Sequence, residues 1–124
     1  MIIPSLERGG YAYKGQVLVG LRPGGRKHKV DALAEKQGKK YLVSLKWQQV
    51  GGTAEQKVPF EIISLAKAIN EGEYHSAYLV LGGAGWTLRD FYIGGGLNDY
   101  LKNCEKVDII SLEEFVGKAN RGEL

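Results

Sequence analysis

Asp31, Ser44, Lys46 and Gln48 set an acid, a hydroxyl, an amine and an amide into two otherwise apolar runs. Side chains alternate between the faces of a strand, and residues opposed across antiparallel strands share a face. Folding the chain about the midpoint of Gln37 and Gly38 places Asp31 opposite Ser44 and Lys29 opposite Lys46. The four polar groups then project from one side, interrupted by Leu33 and Val43, while Val30, Ala32, Leu45 and Trp47 project from the other. Such a group suits metal-dependent phosphodiester hydrolysis. A carboxylate can hold a hard cation such as Mg2+, with water and phosphate oxygens completing the shell. The cation polarises the scissile phosphate and acidifies bound water, and the lysine orients that water or offsets charge in the transition state. One carboxylate is thin for a metal, so a second acid is expected from elsewhere in the chain.

Three strands are needed to present this group. Hydrophobic alternation gives strands over 16–21, 28–35 and 40–48, joined by the turn Arg22-Pro23-Gly24-Gly25 and by the Gln37-Gly38 turn. Trp47 is read as a core residue. Thr53 and Gln56 form a loose capping box for a helix with apolar residues at Val58, Ile62, Leu65 and Ile69. Pro59 implies a kink there or a later start. The run Ser76–Leu81 reads as a strand buried on both faces. Trp86–Ile93 suits a short helix, Leu97–Leu101 continues helically, and Val107–Ile110 is a strand. Ser111-Leu112-Glu113-Glu114 is a capping box for a last helix to about Ala119. Near the N-terminus, Pro4-Ser5 opens a helical turn capped by Ser5.

The 124 residues suit one domain, 1–124, with 44% hydrophobic and 25% charged residues, which is ordinary for a soluble chain. The one cysteine, Cys104, excludes an internal disulfide and reads as a buried thiol. No basic segment followed by an apolar run marks a signal peptide, and no apolar run is long enough for a membrane span. A cytoplasmic, nucleoid-associated setting is therefore expected. The net charge of +3 hides a concentration of cations at Arg22, Arg26, Lys27, Lys29, Lys36, Lys39, Lys40 and Lys46. A polyanion is the partner that such a window favours. His28 and His75 stand alone and read as surface residues; a functional His28 would contact phosphate. Trp86, Tyr92, Tyr100 and Arg89 read as exposed groups for base stacking or a subunit contact. Gly82-Gly83-Ala84-Gly85 matches neither the P-loop nor the dinucleotide fingerprint.

Asp31, then Ser44-Leu45-Lys46 on the next strand, then a helix from Thr53, resembles the PD-(D/E)xK nuclease superfamily over roughly residues 15 to 81. The resemblance implies an α/β, restriction-endonuclease-like mixed sheet, with a three-strand meander followed by helix, strand, helix, strand and helix. It also implies hydrolysis of DNA with Mg2+, for which Mn2+ substitutes. Asp31 would bind the metal, and Lys46 and Gln48 would act on water and phosphate. Two positions depart from the pattern: Val30 replaces proline and Ser44 replaces the second acid. Restriction enzymes with an S-x-K tripeptide take the missing carboxylate from the following helix. Glu61 fits that spacing, Glu55 fits the helix start, and Glu7 is a third option. Arg22, Arg26, Lys27, His28, Lys29 and Lys57 would grip the backbone of double-stranded or branched DNA, in a homodimer or homotetramer. The competing readings are an inactive nucleic-acid-binding module, favoured by Ser44, and a structural or partner-binding domain.

Overall fold

The hairpin of β2 (Lys27–Lys36) and β3 (Lys39–Trp47) closes where the sequence places its turn. In the computed structural model, which describes residues 2–51 and 54–124, Lys36 pairs with Lys39. Gln37 and Gly38 between them have φ of 55° and 80°. Two successive positive φ values are the two-residue turn whose twist matches that of the strands it joins. The register continues to Ala32↔Val43, as the hairpin reading requires.

The elements are α1 (Ile2–Arg8), β1 (Ala12–Leu21), β2 (Lys27–Lys36), β3 (Lys39–Trp47), α2 (Ala54–Glu71), β4 (Ser76–Gly82), α3 (Arg89–Ile93), β5 (Val107–Ser111) and α4 (Leu112–Asn120). The sheet order is β1-β2-β3-β4-β5. β1, β2 and β3 are antiparallel, whereas β3, β4 and β5 are parallel. This is the expected mixed sheet. β4 is buried from Ala77 to Gly82 because α2 packs on one face and α4 on the other.

The alternation in β2 changes face at Asp31. Pairing with β1 passes from Gly15↔Ala32 to Val17↔Val30, and Gln16 between them has φ 55°, a conformation uncommon for a residue with a Cβ. Ala32 and Ala34 pack with Leu6 and Phe115 of α1 and α4. Val30 packs instead with Val58 and Ile62 of α2. The expectation that Val30 and Ala32 share a side is corrected by this irregularity. Trp47 is also not core: it is 56% exposed.

α2 begins at Ala54 and continues through Pro59, so the proline does not delay its start; the Thr53 cap lies outside the described residues. Val58, Ile62, Leu65 and Ile69 bury against Leu42, Leu79 and Leu81. At roughly 1.5–3 kcal/mol per large side chain, this burial outweighs the ~3 kcal/mol that an interior proline costs. The carbonyl that Pro59 leaves without its helical donor is that of Glu55, four residues earlier. The Tyr92 hydroxyl of α3 donates to it at 2.9 Å. Tyr92 and Trp86 are therefore buried structural groups, not exposed aromatics. Trp86 Nε1 donates to the Gly82 carbonyl at 2.7 Å, while Tyr100 is 75% exposed.

At the chain ends, Ser111 accepts from the Glu114 amide as its capping box requires. Ser5 instead lies inside α1 and donates to the Ile2 carbonyl at 2.6 Å. Leu97–Leu101 forms turns and not a helix. Cys104 is half-buried; burial, then the charge of Glu105, push its thiol up.

Tyr92→Phe is expected to cost about 1–2 kcal/mol, the price of an unsatisfied buried carbonyl. In a Pro59→Ala background, where residue 59 regains its amide, the cost should fall close to zero. Urea unfolding of the two single variants and the double variant checks this coupling.

Candidate active site

Glu61 stands in the apolar stripe of α2, one turn after Val58 and beside Ile62. A carboxylate on that stripe must find partners as it is buried. Glu61 is 2% exposed, and three cationic or imidazole groups converge on it. Arg22 Nη1 donates to Oε1 at 2.7 Å. His28 Nε2 lies 2.8 Å from Oε2, and Lys46 Nζ lies 3.7 Å from Oε1. Burial alone would push the carboxyl up. Hydrogen bonds from His28 and Arg22, then the charges of Lys46 and His28, bring it down to about 2. An ionised carboxylate only accepts, so His28 must donate from Nε2. Its Nδ1 is buried and has no partner among the described residues. His28 itself is 1% exposed. The surface position and phosphate contact expected of it are therefore corrected: the ring is turned inward to Glu61.

Asp31 is half-buried on β2, and its Oδ2 accepts from the Leu45 amide at 2.6 Å. The acid is thus tied to β3 at the residue just before Lys46. Ser44 is buried beside them in sequence, and Lys46 is half-buried at the carboxyl end of β3, paired with Leu81 of β4. Crevices at the carboxyl ends of parallel strands are the usual sites of ligand binding in such sheets.

Gln48 and Glu55 are held in the scaffold next to this site. Gln48 Oε1 accepts from the Ala54 amide at 3.0 Å, and its Nε2 donates to the Gly85 carbonyl at 2.8 Å. Glu55 Oε1 accepts from the amides of Thr87 and Leu88, fixing the approach to α3. The glycines after β4 serve this close packing. Gly83 has φ 91°, and a Cβ there would stand 2.4 Å from the Gln48 carbonyl oxygen. Glu7 lies on α1, which packs with α4 on the face opposite α2, and accepts from the Tyr13 hydroxyl at 2.5 Å.

The basic window divides between the two ends of the hairpin. Arg26, Lys27 and Lys29 are exposed at the end near Glu61, as is Lys57 on α2. Lys36, Lys39 and Lys40 lie at the Gln37-Gly38 turn, roughly 30 Å away along β2 at the usual rise per residue. Antiparallel folding separates what the linear sequence places together.

The chain matches a model of the PD-(D/E)XK nuclease superfamily domain over residues 2–123. The chain belongs to the PD-(D/E)XK nuclease superfamily. Its sheet is the mixed sheet of the restriction-endonuclease-like fold. No curated protein matches the chain. The crystal structure of a protein of unknown function, AF1548, has a similar fold, with a TM-score of 0.55 and 16% identity over 90% of this chain. The chain spans about half of that protein, 54% of its length.

Members of the superfamily typically use divalent metals, and Asp31 is an acid here with acceptor positions to spare. Asp31 uses one oxygen on the Leu45 amide, and a carboxylate offers about four acceptor positions. Hard cations such as Mg2+ bind through one or two carboxylates, with waters and phosphates supplying the rest. Among the described residues no group of three His, Cys, Asp or Glu side chains could hold a metal ion alone.

Glu61 contributes acid-labile stability. Its folded value of about 2 lies below the ordinary 4.5, so the contribution is complete above about 4.5 and is lost as pH falls through about 2. That difference corresponds to stability on the order of 3 kcal/mol. Glu61→Gln is expected to lose it at neutral pH and to flatten the pH dependence of urea unfolding between pH 5 and 2. An unchanged acid limb would assign acid sensitivity to other groups.

Proposed function

We propose that this chain is a metal-dependent endonuclease that hydrolyses phosphodiester bonds of DNA. The observation that carries this reading is the junction of Asp31 with β3: its carboxylate is bonded to the backbone of Leu45, immediately before Lys46. Asp31 holds a divalent cation, Mg2+ with Mn2+ as a substitute. When bound, that cation polarises the scissile phosphate and acidifies a water. Lys46 directs its ammonium protons at the attacking water or at a phosphate oxygen, offsetting the negative charge that grows in the transition state. Ser44, buried on β3 two residues before Lys46, is a neutral hydroxyl where the pattern has an acid and brings no charge to the site. Gln48 keeps β3, the start of α2 and the loop after β4 in place around them.

Arg26, Lys27, Lys29 and Lys57 grip the phosphate backbone, with Arg22 at the base of the same turn. Their attraction is sequence-independent and weakens with salt. A second copy supplies the other cut or part of the grip on double-stranded or branched DNA. The second reading is a binding module of the same fold without activity. It is favoured by Ser44 in place of an acid and by Glu61 already engaged with Arg22 and His28.

Cleavage of supercoiled plasmid, single-stranded DNA and a four-way junction, with Mg2+, Mn2+ or EDTA, separates the two. Cutting should require the metal and fall at least about 100-fold in Asp31→Asn and Lys46→Ala, the scale of losing one transition-state contact. DNA bound equally by all three proteins but cut by none would leave the binding module.

A further inference from the structure

The superfamily pattern leaves open which acid replaces Ser44, and Glu61 is the one whose spacing fits. Its surroundings assign it different work. Each of its oxygens already accepts a hydrogen bond, Oε1 from Arg22 and Oε2 from His28. Oε1 also faces Lys46. A divalent cation on this carboxylate would join two fixed positive charges at one oxygen, and like charges at such range oppose one another. It would also compete with Arg22 and His28 for a buried carboxylate, and weakening that pairing leaves buried charge poorly compensated. Asp31 carries neither burden, since a single backbone amide is its partner among the described residues.

We infer that Glu61 is a positioning residue for Lys46 and not a metal ligand, and that Arg22 and His28 hold its carboxylate in the required orientation. This rests on the nuclease reading of Asp31 and Lys46. The arrangement has three supports. His28 reaches Glu61 from β2, Arg22 from the turn that follows β1, and the α2 backbone carries the acid itself. A carboxylate fixed from three elements presents Oε1 in one place. Lys46 is a flexible side chain that is 25% exposed, and Glu61 is the acid in ion-pair range of it among the described residues.

Arg22 gives this anchor a second role. Its side chain is 21% exposed, and its backbone closes the basic turn. The Arg22 amide donates to the Arg26 carbonyl at 2.7 Å, and the Gly25 amide donates to the Arg22 carbonyl at 2.9 Å. The turn that presents Arg26 and Lys27 is therefore tied to the same oxygen that faces Lys46. Phosphate grip and the catalytic amine share one reference point.

Two measurements on the full chain test this. Calorimetric titration with Mn2+ compares the parent with Asp31→Asn and Glu61→Gln. Nitrogen-15 NMR follows the Lys46 ammonium in the same proteins, identified by its loss in Lys46→Ala, and in Arg22→Gln and His28→Gln, which keep the Glu61 carboxylate. Asp31→Asn should weaken Mn2+ about tenfold or more, and Glu61→Gln less than about threefold, against the 10–100-fold typical of disturbed metal shells. The Lys46 signal should shift or broaden in Glu61→Gln, and move in the same direction but less in Arg22→Gln and His28→Gln. Loss of Mn2+ binding in folded Glu61→Gln as large as in Asp31→Asn would make Glu61 a ligand and overturn the inference. An unmoved Lys46 signal in the three variants would overturn it as well, whether or not Mn2+ binds. Mn2+ affinity unaffected by Asp31→Asn would instead overturn the metal role of Asp31 and with it the nuclease reading.

Discussion

The buried carboxylate of Glu61 is the interaction on which the site end of the molecule depends. It joins α2 to the turn after β1, to β2 and to the vicinity of Lys46 on β3. Removing either partner would leave the other charge in a poor solvent, which is why buried pairs fail as units. Replacing a buried ion pair by apolar packing is often neutral for stability. The ion pair instead fixes direction: hydrogen bonds at 2.7 and 2.8 Å allow the carboxylate few orientations. Its depressed proton affinity follows from the same contacts, which overcome the opposing effect of burial.

Around that anchor, the scaffold is assembled from groups that would otherwise be unsatisfied. Pro59 frees the Glu55 carbonyl, and Tyr92 takes it. The Glu55 side chain then accepts from Thr87 and Leu88, and Gln48 links Ala54 to Gly85. These bonds tie the start of α2 to the loop after β4. Both border the carboxyl ends of β3 and β4, where Lys46 pairs with Leu81. The helix that carries Glu61 is therefore held at its start by α3 and the β4 loop, and along its length by the sheet.

The meander was legible because its signals are local. A two-residue turn with a glycine and alternation on either side set the β2–β3 register, which brings Asp31 to β3. The capping box at Ser111 was equally local. The face change at Gln16 was hidden, since nothing in its type announces a positive φ within a strand. His28 was misplaced because it sits among Arg26, Lys27 and Lys29, a run that looks solvated. Its partner is 33 positions away. One signal did exist: Val58, Glu61, Ile62 and Leu65 fall on a single helical stripe, and an acid there calls for a buried partner. Trp86 and Tyr92 were hidden differently. Their glycine-rich setting looks open, but both rings pack into the core on the α2 side of the sheet.

The proposed site divides its labour, with Asp31 for the metal and Glu61 for Lys46. Crystals grown with Mn2+ and measured at its absorption edge locate the ion directly. An anomalous peak is expected against the Asp31 carboxylate, with Glu61 still bonded to Arg22 and His28. A peak coordinated by Glu61, with Arg22 or His28 displaced from it, would make Glu61 the metal ligand and overturn this division.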